Sequence, residues 1–283
     1  MAYKDLLLSL TTYPDATPDA VADYAARLAK QFGAQVSAVA WELKLQRVGA
    51  FPFVADALLD LPGLMTAEMQ KSAAHARRLA EVFEAAVKRE GVTGRCEAVA
   101  CPPAEIPDRL ARRARLHDLT VVPILASDEV GPMYAEHAVF GSGRPVLIVP
   151  EASLGGAGSF DHVVVAWDHS RPAARALADA MPLLEAAADV HVVTVANEKP
   201  LPAPMDGEAL VRHLSAHGVN AIPVAVDAAG RPIGAALGDY VRSVGADLLV
   251  MGAYGHSRVQ QFILGGATRT ILHAPPVPVL LSH

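Results

Sequence analysis

The chain contains itself twice. Near its start, "KDLLLSLTTYPDATPDAVADYAARLAKQFGAQVSAVAW" reads as a strand, a turn, an Ala-rich helix and a second strand. From Asp161, "DHVVVAWDHSRPAARALADAMPLLEAAADVHVVTVA" gives the same order. Further on, "HDLTVVPI" matches "ADLLVMGA", and "GRPVLIVP" matches "PVPVLLSH". A repeat this long dictates two copies of one fold rather than one large irregular domain. The seam, "EASLGGAGS", is small and glycine-rich, as a linker should be. The expected organisation is therefore a domain at 1–150, a linker at 151–159 and a second domain at 160–283.

Within each copy the predicted strands are Asp5–Leu10 or His162–Trp167, Val36–Trp41 or Val190–Val195, Arg95–Ala100 or Asn220–Val226, Leu119–Ile124 or Leu248–Met251, and Pro145–Val149 or Pro278–Leu281. The predicted helices between them are Pro18–Phe32 or Arg171–Ala187, Thr66–Glu90 or Gly207–His217, and Glu105–Leu116 or Ile233–Val244, with a last one ahead of the final strand. The strands are continuous Val/Leu/Ile runs. Strands covered on both faces look like that, and helical crossovers supply the cover. Right-handed crossovers then give an α/β fold of two doubly wound, parallel, five-stranded sheets. Such sheets bind ligands at the carboxyl ends of their strands, where strand order reverses.

Charge excludes some functions. The 283 residues carry a formal net charge of −6 with no basic block, which argues against nucleic acid and against a membrane surface. The apolar runs are strand-sized, well short of the roughly 20 residues of a membrane span. The first residues lack a small-residue cleavage site and read as no signal peptide. Cys96 and Cys101, five apart on a strand, point to opposite faces and read as small buried hydrophobes. That favours a reducing, cytoplasmic setting. The first copy also holds an insertion, residues 42–65, rich in apolar residues such as Phe51, Phe53, Val54, Leu58, Leu59 and Leu61. It reads as a loop packed on the protein, a lid over an apolar pocket, or an oligomer contact.

The stretch "LLVMGAYGHSRVQQFILGGAT" carries the chemistry. A buried strand runs into Gly252, Gly255 follows, and Gly265 with Gly266 opens the last helix. Glycines there let bare backbone N–H groups approach an anion, and the helix N-terminus adds its dipole. The same glycines would also serve tight turns and close helix–sheet packing. No G-x4-G-K-[ST] phosphate loop and no G-x-S-x-G elbow is present.

On Gly252, Gly255 and Gly265, the spacing G-x2-G-x9-G resembles the signature of the universal stress protein family. "VVVAWDHS" resembles that family's first strand and acidic loop, and "PVPVLLSH" its last strand. The resemblance covers the chain as a tandem of two domains with the Rossmann-type three-layer sandwich of the adenine nucleotide α-hydrolases. It implies binding of ATP, or of AMP or ADP, with Mg2+ as a companion. The implied contacts are Asp168 after the first strand with Ala166 near that strand's end, Val195 at the end of the second, Met251 at the end of the fourth, and the loop from Gly252 through Gly255, His256, Gly265, Gly266, Ala267 and Thr268. It further implies a stress-response regulatory module, with slow ATP hydrolysis at most and no catalytic or metal-binding set. The halves would pair through their last strands as an intramolecular pseudo-dimer, with a homodimer as a further option.

Two departures matter. Gly266 stands where the family has Ser or Thr, which removes one hydroxyl bond, worth about 0.5–1.5 kcal/mol. Thr268 is the nearest substitute. In the first copy, Pro123 and Ala126 fall where Gly252 and Gly255 fall, and Thr12 falls where Asp168 falls. Proline has no N–H to offer. The first copy therefore reads as degenerate, with at most one nucleotide site per chain. The alternative is a module that binds no nucleotide and acts through protein partners or an apolar ligand at the 42–65 insertion. His213 and His217, four apart on a helix, have metal-ligand spacing without a third ligand. His169, Arg258 and Arg269 flank the loop, and Ser170 reads as a helix N-cap ahead of Pro172.

Overall fold

A computed structural model describes residues 2–45, 61–126, 130–156, 159–196, 207–253 and 266–283. The first half runs β1 (Asp5–Thr11), α1 (Ala20–Phe32), β2 (Gln35–Leu43), α2 (Leu61–Glu90), β3 (Gly94–Cys101), α3 (Ile106–Ala114), β4 (Leu119–Ile124), α4 (Gly131–Ser142) and β5 (Val146–Pro150). The second half runs β6 (His162–Ala166), α5 (Arg171–Leu184), β7 (Asp189–Ala196), α6 (Gly207–Ala216), β8 (Ala221–Asp227), α7 (Ile233–Ser243), β9 (Leu248–Gly252), α8 (Gly266–His273) and β10 (Val279–Ser282). The predicted elements lie within a few residues of these. The first residues of α2 are the main addition, and most of the apolar insertion, residues 46–60, lies outside the described residues.

The two five-stranded sheets are one. The strand order is β3-β2-β1-β4-β5-β10-β9-β6-β7-β8. All pairs are parallel except the central one, where β5 and β10 run antiparallel with Val279 opposite Ile148 and Leu281 opposite Val146. The strands that begin after Pro145 and Pro278 are thus edges of their own half and centre of the whole. Neither proline disrupts the ladder, because each sits just before its strand and offers its carbonyl, to Thr120 N–H at 3.2 Å and to Leu249 N–H at 2.9 Å.

Side-chain alternation divides the core between the two faces. Leu6, Leu8 and Leu10 face α1 and α2, while Leu7 faces α3 and α4. Each face is one apolar cluster that draws on both halves. One joins Leu8 and Tyr24 to Val165, Leu177 and Leu280. The other joins Leu7 and Tyr134 to Val164, Leu237 and Leu281. The outermost strands, β3 and β8, are partly exposed along their length. Cys96 packs on one face and Cys101 on the other, both as free thiols. Burial pushes the Cys96 thiol up to about 11, which leaves it protonated and inert at neutral pH.

Each half is anchored at the start of its first strand in the same way. The Asp118 carboxylate accepts from the N–H groups of Lys4 and Asp5, and the Asp247 carboxylate accepts from those of Asp161 and His162. The seam is tied down as well. The Arg27 guanidinium donates to the carbonyls of Leu154, at 2.8 Å, and Gly156, at 3.1 Å. No described helix is long and apolar enough to cross a membrane.

Candidate functional site

In each half, strand order reverses between the first strand and the fourth, β1 beside β4 and β6 beside β9. The crevice at the carboxyl ends of those strands is where this topology binds ligands. Beyond β6, Trp167 N–H still bonds Val193 O at 2.8 Å, so the strand direction persists up to Asp168. There the chain turns. The Asp168 carboxylate accepts from Ser170 N–H at 2.9 Å, and His169 takes a left-handed φ of 60°. A non-glycine residue in that region is uncommon and adds local strain. Ser170 then caps α5, its hydroxyl accepting from Ala173 N–H at 3.1 Å. An aspartate at this turn holds a carboxylate at the strand end while its own hydrogen bond fixes the loop.

Gly252 ends β9 against the same helix. A Cβ built on it would lie 2.4 Å from Ala173 N and 2.4 Å from the Pro172 carbonyl carbon. Both are backbone atoms and cannot step aside. At this position the close-packing role of glycine is met outright: β9 and the N-terminus of α5 touch main chain to main chain. Gly266 differs. It opens α8, is exposed, and a Cβ there would meet nothing within 4 Å among the described residues. Thr268 is 3% exposed, so its hydroxyl is enclosed where Gly266 stands open. Ala166, Val195 and Ala267 are half-buried and Met251 is buried. Gly255, His256, Arg258 and Gly265 lie outside the described residues.

The first half offers a register-matched control. Counting from the shared anchors, Leu6 opposite Leu119 corresponds to Val163 opposite Leu248. Pro123 then corresponds to Gly252, as the sequence predicts. Thr11, however, corresponds to Asp168, one residue earlier than the expected Thr12. The shift arises because the expectation paired the two turns by eye, whereas the strand registers fix the count. Two further equivalences follow. Ser9 corresponds to Ala166 and Trp41 to Val195. Trp41 Nε1 donates to Ser9 Oγ at 3.0 Å, so these two positions are bridged by an indole. The Ala126 N–H is engaged by the Glu151 carboxylate at 3.1 Å. The first half thus has a proline where β9 ends in Gly252, and a backbone N–H near the end of β4 that is paired to the protein's own carboxylate.

Other candidates resolve simply. His213 and His217 stack edge to face, 5.0 Å between ring centres. No group of three or more metal-ligating side chains stands together among the described residues. A groove of about 490 Å³ between β3 and α3 carries Arg109 and Arg113, which are paired with Glu105 and Glu97. It lies away from both switch points. The Trp41–Ser9 bridge joins β2 to β1 and has no signal in the apolar pattern of either strand.

Comparison with known proteins agrees with this geometry. Residues 159–283 match the model of the universal stress protein family. A universal stress protein from Archaeoglobus fulgidus DSM 4304 superposes with a TM-score of 0.71 at 19% identity, covering 98% of this chain and 95% of its own. A structure described as a universal stress protein from Pseudomonas aeruginosa UCBPP-PA14 superposes at 0.58 with 12% identity, covering 99% and 93%. At these identities the likeness is one of fold. The comparison with curated proteins gave no match.

Proposed function

We propose that this chain, whose residues 159–283 belong to the universal stress protein family, is a tandem member that binds one adenine nucleotide in its second half and none in its first. The observation that carries the reading is the contrast at matched register positions. Asp168 and Gly252 stand in one half where Thr11 and Pro123 stand in the other. Asp168 has an oxygen to offer a ribose hydroxyl, and the bare start of α8 at Gly266 has N–H groups and a helix dipole to offer a phosphate. ATP fits this donor set, with AMP or ADP as shorter versions and Mg2+ arriving with the triphosphate. The bound nucleotide would act by favouring one conformation of the loop or of a partner surface, as any regulatory ligand must.

One feature favours a second reading. With Gly266 in place of a hydroxyl residue, the phosphate loses a bond, and the chain would then serve as an interaction module without nucleotide. Thermal unfolding with and without Mg-ATP separates the two. Ligand at one hundred times its dissociation constant adds about 2.7 kcal/mol of stability. Gly266→Ser restores the hydroxyl at a position with open space around it. It should tighten ATP binding by up to about tenfold. A wild-type protein and a Gly266→Ser protein that both melt unchanged at millimolar ATP would leave the interaction module standing.

A further inference from the structure

We propose that the first half carries a ligand site of its own, for a small, uncharged, apolar molecule of about one ring, at the switch point where the second half would hold nucleotide. A cavity of about 110 Å³ lies there, bounded by Thr11 at the end of β1, Tyr13 beyond it, Trp41 and Leu43 on β2, Ile106 at the start of α3 and Val130 ahead of α4. It sits at the carboxyl ends of β1 and β2, in the crevice that α/β sheets use for ligands.

Its lining specifies the ligand by what it withholds. Among the described residues no charged side chain borders it. Pro14 and Pro103, which also line it, have no N–H, and Pro123 at the end of β4 lacks one too. The polar groups of the threonines and the indole are already satisfied. Thr11 N–H donates to Thr17 Oγ1 at 2.8 Å, and the two hydroxyls lie 3.0 Å apart. The Thr12 hydroxyl donates to Trp41 O at 2.5 Å and lies 2.6 Å from Ser72 Oγ. Trp41 Nε1 is held by Ser9. An anion entering this space would lose its hydration and meet no charged partner among the described residues, whereas a hydrocarbon surface gains from every contact. The volume excludes a nucleotide. It is comparable to the cavity of about 150 Å³ that takes benzene in another protein. The indole of Trp41 forms one wall, which suits an aromatic guest.

Trp41 also supplies the reporter. The chain has two tryptophans, and Trp167 carries a buried Nε1 without a partner among the described residues, so Trp167→Phe should be well tolerated. In that variant, titration with bromobenzene should quench Trp41 fluorescence along a saturating curve with one site per chain. Half-saturation is expected at or below about 1 mM, the range open to a ligand of so few atoms. Adding Val130→Phe, with its fold checked by circular dichroism, should weaken the binding at least tenfold. Trp41→Phe, which leaves only Trp167 to report, should show linear collisional quenching. Saturating Mg-ATP should leave the Trp41 curve unchanged. Linear quenching of Trp41, a saturating curve indifferent to Val130→Phe, or displacement by ATP would each overturn the proposal. Because the wild-type chain can be titrated in the same way, a misfolded variant does not remove the test.

Discussion

At the scale of single residues, the two glycines flanking the candidate site do different work. Gly252 is demanded by packing, because any Cβ would collide with the backbone of Pro172 and Ala173. Gly252→Ala should therefore destabilise the fold by about 1–3 kcal/mol, the cost of forcing extra volume into a close-packed contact, whether or not nucleotide is present. Chemical denaturation without ligand checks this, and an unchanged midpoint would mean the strand and helix are not in main-chain contact. A loss of nucleotide binding in that variant would consequently say little about phosphate. Gly266 is free of such constraint, which makes it the position at which affinity can be altered with the fold left alone. The sequence shows both glycines and cannot tell these roles apart, since the clash partner of Gly252 is about eighty residues away along the chain.

At the scale of elements, most of the fold is legible because each strand is a short apolar run between turn residues. The runs at Leu119–Ile124 and Leu248–Met251 are set by chain chemistry alone and match the structure. What a pattern of apolar runs does not contain is register, and that is why Thr12 reads as the counterpart of Asp168 when Thr11 holds that place. Nor does it contain cross-strand polar pairs. On β6 and β7, His162 Nδ1 lies 2.5 Å from the Asp189 carboxylate, and His191 Nε2 lies 3.4 Å from its other oxygen. The bond to Asp189 holds the His162 imidazole above its ordinary range, with that carboxylate's charge acting in the same sense. A group whose folded value is raised stabilises the protein fully below its unfolded value and loses that contribution as pH rises through the folded one. Stability should thus decline slightly as pH climbs from about 6.5 upward. Asp189→Asn should remove that slope and return the His162 proton shifts in NMR titration to an ordinary midpoint. A wild-type His162 that already titrates at the ordinary midpoint would show the pair does not form in solution.

At the scale of the whole molecule, the repeat becomes a single body. Antiparallel pairing of β5 with β10 merges two sheets into ten strands, and both apolar clusters cross the join. Phe140 and His283, one from each half, pack edge to face at 4.9 Å, and Tyr3 donates to the Asp179 carbonyl across the same boundary. The chain should therefore unfold in one cooperative transition. Leu147→Ala, at a fully buried position on β5, should lower that transition as a unit by about 2–5 kcal/mol. Two separated calorimetric peaks would show halves that fold independently. Within this body the halves have diverged at the one place where the topology offers a pocket. The first has Trp41, Pro123 and the Glu151 carboxylate at its crevice, and the second has Asp168 and Gly252. A crystal grown with excess Mg-ATP tests that division most directly. Density for adenosine and phosphates between Asp168 and the start of α8, with none beside Trp41, is the predicted result. Density beside Trp41 with the Asp168 crevice empty would contradict it.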